Sequence, residues 1–262
     1  MVSEKKLIIS RKFSRAAGTY DFFSHVQKKC AARLAGTLPA GFNPAAILEL
    51  GCGTGNYTRL LRRAFPRAQM WVLDFSQAMV EYAREKLGDA AGLHFLCADG
   101  EEFLASRNTS YDLITSNATL QWFEDLDKTF FNAANVLSEK GLLHISLFGP
   151  ETLAELGQAF QEALEVPVDL PASSFASLGD IQGLAEKHFR RVHCEQDFIT
   201  RRYVSLPDLL RHIQKTGAGG FQQAMPMLTK SRLAKVKDWF VARGGYEVRY
   251  EVFYLTAGLK DS

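Results

Sequence analysis

Ala46-Ile47-Leu48-Glu49-Leu50-Gly51-Cys52-Gly53-Thr54-Gly55 decides how this chain is read. An apolar run ends in an acid and passes into glycines at alternate positions. Both faces of the run are mostly apolar, as in a buried parallel strand. Beyond the glycines, Tyr57, Leu60, Leu61, Ala64 and Phe65 recur at helical spacing, so a helix begins at once. Strand, glycine turn and helix make the layout of a nucleotide site, because backbone without side chains can approach a ligand closely. Asn56 stands where a dinucleotide fingerprint needs a third Gly or Ala, which argues against NAD or FAD. No Lys follows the glycines as a P-loop requires. An acid directly before the loop, Glu49, suits an ammonium group instead. For this stretch alone, an ordinary βα turn is the plain alternative.

The 262 residues have room for one α/β domain with additions and a sizeable core. A hydrophobic content of 47% and a charged content of 23% are those of an ordinary globular protein. No apolar run has the length of a membrane span, and the first residues lack a continuous apolar signal region. Lys5, Lys6, Arg11, Lys12 and Arg15 make the start basic, as in a transit peptide, but Glu4 and Asp21 interrupt them and the segment reads as a folded helix. The expected location is cytoplasmic. Cys30, Cys52, Cys97 and Cys194 form no CxxC pair, which implies a reducing compartment and no zinc or other metal site. A net charge of +2 does not argue for nucleic acid.

Taken in order, residues 7–38 look helical, with Phe13, Ala16, Ala17, Tyr20, Val26 and Leu34 turned toward the rest of the chain. Tyr20 and Gln27 share a face if that helix is continuous. Spacing alone favours Tyr20 as a half-buried aromatic over a lid residue. The second strand covers 69–74 and ends in Asp74, an acid about 20 residues past the loop, as a ribose-binding acid should be; a turn or cap role is its plainer reading. Ser76 caps a helix with Met79, Val80, Ala83 and Leu87 inward. The third strand and its exit, 93–101, carry Asp99, Gly100 and Glu101, and an Asp there can accept from an adenine amino group. The fourth strand, 111–117, leads into Ala118-Thr119-Leu120-Gln121-Trp122, where the substrate-facing loop of an open α/β sheet lies. Trp122 suits a core or a binding cleft. A helix with Leu126, Phe130 and Leu137 inward stops at Gly141, and a fifth strand covers 142–148 with a structural His144.

Past Gly149 the simple alternation ends. Helices are expected over 153–164, 178–189, 206–216 and 231–243, with a loop at Pro167, Pro171 and Ser173-Ser174 and a flexible run at Gly217-Ala218-Gly219-Gly220. A sixth strand covers 192–200. Alternating Val248, Tyr250, Val252 and Tyr254 predict a last, antiparallel strand near the sheet edge. The chain reads as one domain: a helical lid at 1–40, a core at 41–149, a cap at 150–245 and a C-terminal strand at 246–258.

With these residues placed, the chain resembles the class I S-adenosylmethionine (SAM) methyltransferases over about 46–148. Over nearly its whole length it is similar to the malonyl-[acyl-carrier protein] O-methyltransferases of biotin synthesis. That narrower similarity is carried by Phe13-Ser14-Arg15-Ala16-Ala17-Gly18-Thr19-Tyr20 with Gln27, and by Ser116-Asn117-Ala118-Thr119-Leu120-Gln121-Trp122. Gly149-Pro150-Glu151-Thr152-Leu153, Leu209-Leu210-Arg211-His212-Ile213 with Gly217-Ala218, and Leu228-Thr229-Lys230-Ser231-Arg232-Leu233 complete it. The resemblance implies a Rossmann-like, mostly parallel seven-stranded sheet with an antiparallel C-terminal strand and a helical cap. It implies SAM as cofactor, held by Gln27, Glu49, Gly51, Cys52, Gly53, Asp74, Phe75, Met79, Asp99, Gly100, Glu101 and Asn117. The implied reaction methylates the free carboxylate of a malonyl thioester on acyl-carrier protein or coenzyme A, with no general base and no metal. Tyr20 and Trp122 would then shape a dry acceptor space, and Arg201, Arg202 or Arg211 would orient the carboxylate. No nucleic-acid or membrane partner is implied.

One departure concerns Gln214, where members often carry Lys. Lys187, Arg190, Arg191, Arg201, Arg202, Arg211, Lys215, Lys230, Arg232, Lys235 and Lys237 make the cap half basic, either as a docking face for an acidic carrier or as scattered solvated charges. The rivals are a small-acid enzyme like the trans-aconitate methyltransferases, which share the Asn-Ala-x-Leu-Gln-Trp stretch, and a methyltransferase-like assembly protein. RNA or DNA methylation is disfavoured, since no Asn/Asp-Pro-Pro-aromatic motif follows the fourth strand.

Overall fold

The apolar run ahead of the glycines forms the middle of a seven-stranded sheet in the computed structural model, which describes residues 3–106, 109–164, 170–216 and 229–259. Pro167, the glycine run at 217–220 and Leu228 lie outside the described residues. The strands are β1 (Ala46–Leu50), β2 (Gln69–Asp74), β3 (Leu93–Cys97), β4 (Tyr111–Asn117), β5 (Leu137–Phe148), β6 (Arg191–Tyr203) and β7 (Tyr246–Gly258). Their order is β3-β2-β1-β4-β5-β7-β6. β1 pairs in parallel with β2 on one side and β4 on the other, so strand order reverses at its C-terminal end. A crevice opens at such a reversal in every open α/β sheet. Here it lies directly over the glycine loop.

The helices are α1 (Glu4–Phe23), α2 (His25–Gly36), α3 (Asn56–Ala64), α4 (Gln77–Leu87), α5 (Gly100–Ala105), α6 (Leu126–Val136), α7 (Ala154–Leu164), α8 (Leu178–Glu186), α9 (Leu206–Lys215) and α10 (Lys230–Ala242). They cover both faces of the sheet. Ile47 joins one apolar cluster with Leu34, Leu61, Met70 and Val80; Leu48 and Leu50 join the other with Leu104, Ile114 and Phe130. This is the period of two expected of a strand buried on both sides. No helix among the described residues is long and apolar enough to cross a membrane.

Several boundaries differ from the sequence expectations. The N-terminal helical stretch is broken at Ser24, which is buried with φ −81° and ψ 37°. Tyr20 and Gln27 therefore fall on different helices. β5 starts at Leu137, where α6 ends, because Leu137 is buried and pairs with Tyr111; Gly141 lies inside the strand and stops no helix. α8 ends at Glu186, and the stretch Pro171–Ser174 is a 3-10 turn. β6 runs longer than expected because β7 pairs with it along its whole length. β7 is antiparallel to both neighbours, β5 and β6, so β6 takes the edge. Its alternation suggested one covered face, but Glu251, Phe253 and Leu255 between the expected positions are buried too.

Phe148, the last residue of β5, pairs with Val252, which faces Asp197 on β6. Beyond that rung, 198–203 and 246–251 continue as a two-stranded ribbon about 20 Å past the sheet. α7 and α10 pack together and on β7, while α9 packs on β6 and on α1. The cap and the N-terminal helices therefore meet above the crevice.

Candidate active site

Three positive-φ glycines turn the chain from β1 into α3: Gly51 at 76°, Gly53 at 51° and Gly55 at 77°. The loop is fastened to β2. Gly51 N–H and Cys52 N–H both donate to Leu73 O at 2.8 Å, and Gly53 N–H donates to Asp74 Oδ2 at 2.9 Å. The other Asp74 oxygen accepts Ser76 N–H at 2.9 Å. Burial pushes the Asp74 carboxyl up to about 6, against the pull of the Ser76, Gly53 and Phe75 amides. Gly51 also needs its lack of side chain: a Cβ there would lie 2.3 Å from the Thr119 side chain.

An open cleft sits on this loop. Of the residues expected from sequence, Gln27, Gly51, Cys52, Gly53, Asp74, Phe75, Met79, Asp99, Gly100 and Asn117 line it, as do Tyr20 and Trp122. Sequence reasoning missed Lys6, Ile9, Lys28, Thr54, Asn56, Tyr57, Thr119 and Phe123 among its walls. Asn56, read from sequence only as the wrong residue for a dinucleotide site, donates from Nδ2 to Asp21 Oδ1 at 2.8 Å. Thr54 Oγ1 and Lys86 Nζ donate to the same carboxylate at 2.6 Å each. Burial works to raise the Asp21 carboxyl, but Lys86, Thr54 and Asn56 together hold it below its usual value. Asp21 thereby clasps α1 to the glycine loop.

Glu49 does not line the cleft. It lies in β1 beneath the loop, 1% exposed, and neither carboxylate oxygen has a hydrogen-bond partner. Burial pushes it up to about 8; the Thr58 hydroxyl lowers it without reaching hydrogen-bond geometry, and Asp74 raises it. Glu101 is also absent from the lining. Its oxygens accept Glu124 N–H and Asp125 N–H, and it pairs with Lys6.

A second cavity shares Phe13, Tyr20, Gln27, Ala118 and Trp122 with the first and extends under the cap to Phe148, Leu153, Leu170, Phe175, Ile213 and Tyr250. Phe13 stands between them, with its ring centroid 6.3 Å from Tyr20 and 6.2 Å from Trp122. Ala118 and Leu153, at φ 53° and 64°, are the non-glycine positive-φ residues among those described, and both line this second cavity. Strained backbone of this kind persists where surrounding structure fixes it. Leu153 N–H donates to Arg249 O at 2.8 Å, and two residues earlier Glu251 Oε2 accepts Glu151 N–H at 2.7 Å. Burial, helped by Asp74, Asp21 and Cys30, drives the Tyr20 phenol far above its usual range, so Tyr20 stays a neutral hydroxyl.

The expected arginines are elsewhere. Arg201 Nη2 donates to His212 Nε2 at 2.9 Å and its guanidinium lies over the Tyr203 ring; Arg202 Nη2 donates to Gly244 O at 2.6 Å; Arg211 is exposed on α9. None of them lines either cavity. Nor do the cap's cations make one patch. Arg191 and Arg202 lie near opposite ends of β6, so Arg191, with Arg190 just before the strand, is about 35 Å from Arg201 and Arg202.

A methyltransferase-domain family model matches residues 47–141. The malonyl-[acyl-carrier protein] O-methyltransferase of Anoxybacillus flavithermus is 34% identical over 255 residues, covering 95% of this chain and 96% of the relative. That of Xylella fastidiosa is 37% identical over 212 residues, covering 80% and 71%. The chain belongs to the malonyl-[acyl-carrier protein] O-methyltransferase family. Solved structures share the fold of this family member at low identity. The phosphoethanolamine N-methyltransferase 2 of Haemonchus contortus, in complex with S-adenosyl-L-methionine, superposes with a TM-score of 0.58 at 16% identity, over 99% of this chain and 61% of that one. The YcgJ protein of Bacillus subtilis does so with a TM-score of 0.60 at 15% identity, over 89% and 99%. The sheet order and its glycine turn are those of a class I methyltransferase.

Proposed function

We propose that this chain transfers the methyl group of SAM to the free carboxylate of a malonyl thioester carried on an acyl-carrier protein, giving the methyl ester used in biotin synthesis. The observation that carries this reading, in a member of this family, is the junction of the two cavities. A nucleotide-type cleft opens past Phe13, Tyr20 and Trp122 into an apolar space with no charged side chain among its described lining residues.

The residues present fit the cofactor. Gly51 and Gly53 leave the backbone bare, and Asp74 is held by two amides with lone pairs to spare for ribose hydroxyls. Glu49, buried beneath the loop with two orphaned oxygens, would act on an ammonium group in the cleft by its charge across the loop. SAM, when bound, supplies an electrophilic methyl on a positively charged sulfur. A carboxylate acceptor, with a pKa of about 4, is already ionised at neutral pH, so the chain need provide no general base. Its part is to hold the acceptor oxygen in line and keep water out, which suits the rings of Phe13, Tyr20 and Trp122. Opposite charges vanish as the ester forms. A wall without cations among its described residues therefore favours the transition state over the bound carboxylate, where an arginine clamp would favour the reactant.

The same wall weighs against a small polycarboxylate such as trans-aconitate, whose remaining charges would lie unpaired among Phe148, Leu153 and Ile213. An acidic carrier is the partner this reading implies. Arg202, Arg211 and Lys215 lie toward the end of the molecule where the crevice opens and suit its approach. A cytoplasmic location accords with the four free cysteines. The test offers methyl-labelled SAM with malonyl-carrier and, separately, trans-aconitate. Label on malonyl-carrier alone supports the proposal; label on aconitate alone overturns it.

A further inference from the structure

Lys6 sits near the start of α1, and its side chain crosses to the far wall of the cleft. Its ammonium lies 2.5 Å from Asp99 Oδ2 and 2.6 Å from Glu101 Oε2. The three side chains are 11%, 9% and 15% exposed, so this is no solvated surface pair. From sequence, Asp99 is assigned to an adenine amino group and Lys6 is only one of several basic residues at the start. The structure joins them. Two carboxylates side by side in a part-buried wall repel, and the ammonium between them offsets that repulsion. Burial works to lower the Lys6 pKa, but its hydrogen bonds to Asp99 and Glu101 outweigh burial and raise it. The remaining oxygens are fixed as well: Asp99 Oδ1 accepts Glu101 N–H at 2.9 Å, and Glu101 Oε1 accepts Asp125 N–H at 2.9 Å. The seam continues along α1, where Ser14 Oγ lies 2.8 Å from Ser76 Oγ, next to the Asp74 carboxylate.

We propose that Lys6 is a positioning residue for the purine end of the cofactor, holding the Asp99 carboxylate in place and making α1 a wall of the cofactor site as well as a cover over the acceptor. This rests on the reading of the cleft as the SAM site. Adenine and Lys6 share one carboxylate, so docking of α1 and binding of the cofactor favour each other, and the coupling runs both ways.

The test compares Lys6→Met, Lys6→Arg, the neighbouring Lys5→Met and Asp74→Ala. Each is measured for its dissociation constant for S-adenosylhomocysteine, for KM and kcat, and for its melting temperature without ligand. Lys6→Met is expected to weaken binding by about tenfold or more, the scale of a hydrogen bond to a charged group. KM for SAM rises in step, while kcat at saturating SAM and KM for the acyl substrate stay near wild type. Lys6→Arg recovers part of the loss, and Lys5→Met, altering an exposed side chain, changes nothing. Unchanged or tighter binding by Lys6→Met beside a loss in Asp74→Ala overturns the proposal and leaves the cleft reading standing. A Lys6→Met protein with a lowered melting temperature and losses in kcat and both KM values alike also overturns it, because α1 is then only structural. Full binding by Asp74→Ala sinks the cleft reading and this proposal with it.

Discussion

Glu49 and Asp74 lie on adjacent strands and are both buried, yet their surroundings prepare them for different work. Asp74 is held by two amides while Glu49 has no partner, and burial raises them to about 6 and about 8 respectively. A carboxyl whose folded pKa lies above its unfolded value gives stability that is full below the unfolded value and lost as pH rises to the folded one. For Glu49 that window runs from 4.5 to about 8. The cofactor-free protein should therefore lose stability with rising pH across it, and Glu49→Gln should flatten the slope in denaturant titrations at a series of pH values. Binding reverses the sense. A cationic group near Glu49 draws off its proton, so S-adenosylhomocysteine should release a proton near pH 7 from wild type but not from Glu49→Gln, as read by calorimetry in buffers of differing ionisation heat. Asp74 must be charged to accept two hydroxyls, so affinity should fall up to tenfold per pH unit below about 6. Asp74→Asn should weaken binding by about 1.5–3 kcal/mol at neutral pH and remove that acid limb.

The glycine loop and the helix α1 over it form the element that makes the cleft, and only half of it was legible in the sequence. Gly51, Gly53, Gly55 and the acid at the end of the second strand follow from local geometry, which leaves a mark in residue type and spacing. Lys6 on Asp99 and Asp21 on Asn56 are pairs between distant segments, and no periodicity records them. The break at Ser24 hid in the same way: a continuous helical pattern runs through it, and only tertiary packing turns the chain there. The loop's two roles can be separated by mutation. Gly51→Ala forces a Cβ to 2.3 Å from Thr119 at φ 76°, so it should cost about 1–3 kcal/mol of stability and abolish binding. Gly53→Ala meets nothing within 4 Å and should cost about 1 kcal/mol, yet its methyl group lies in the cleft. Melting temperatures and S-adenosylhomocysteine titrations should show both variants losing ligand and only Gly51→Ala losing substantial stability.

Across the whole molecule, the sheet and the cleft over its glycine loop were readable because parallel βα units bury strands on both faces and place their acids at fixed ends. The acceptor side was not. Arg201 and Arg202, expected to orient the carboxylate, are spent on His212, Tyr203 and Gly244, Arg211 is exposed on α9, and β6 carries basic residues at both of its ends. In their place is a cavity between the N-terminal helices and the cap with no charged side chain among its described lining residues, assembled from Phe13, Phe148, Leu153 and Ile213, residues that in sequence look like ordinary core. The proposed reaction makes one demand of the acceptor: a free carboxylate that loses its charge as the ester forms. The most direct measurement supplies methyl-labelled SAM with malonyl-carrier and, in parallel, with acetyl-carrier, which has the same thioester and no free carboxylate. Alkali-labile label on the first and none on the second is the predicted result. Equal labelling of the two, or none on malonyl-carrier, would contradict the account.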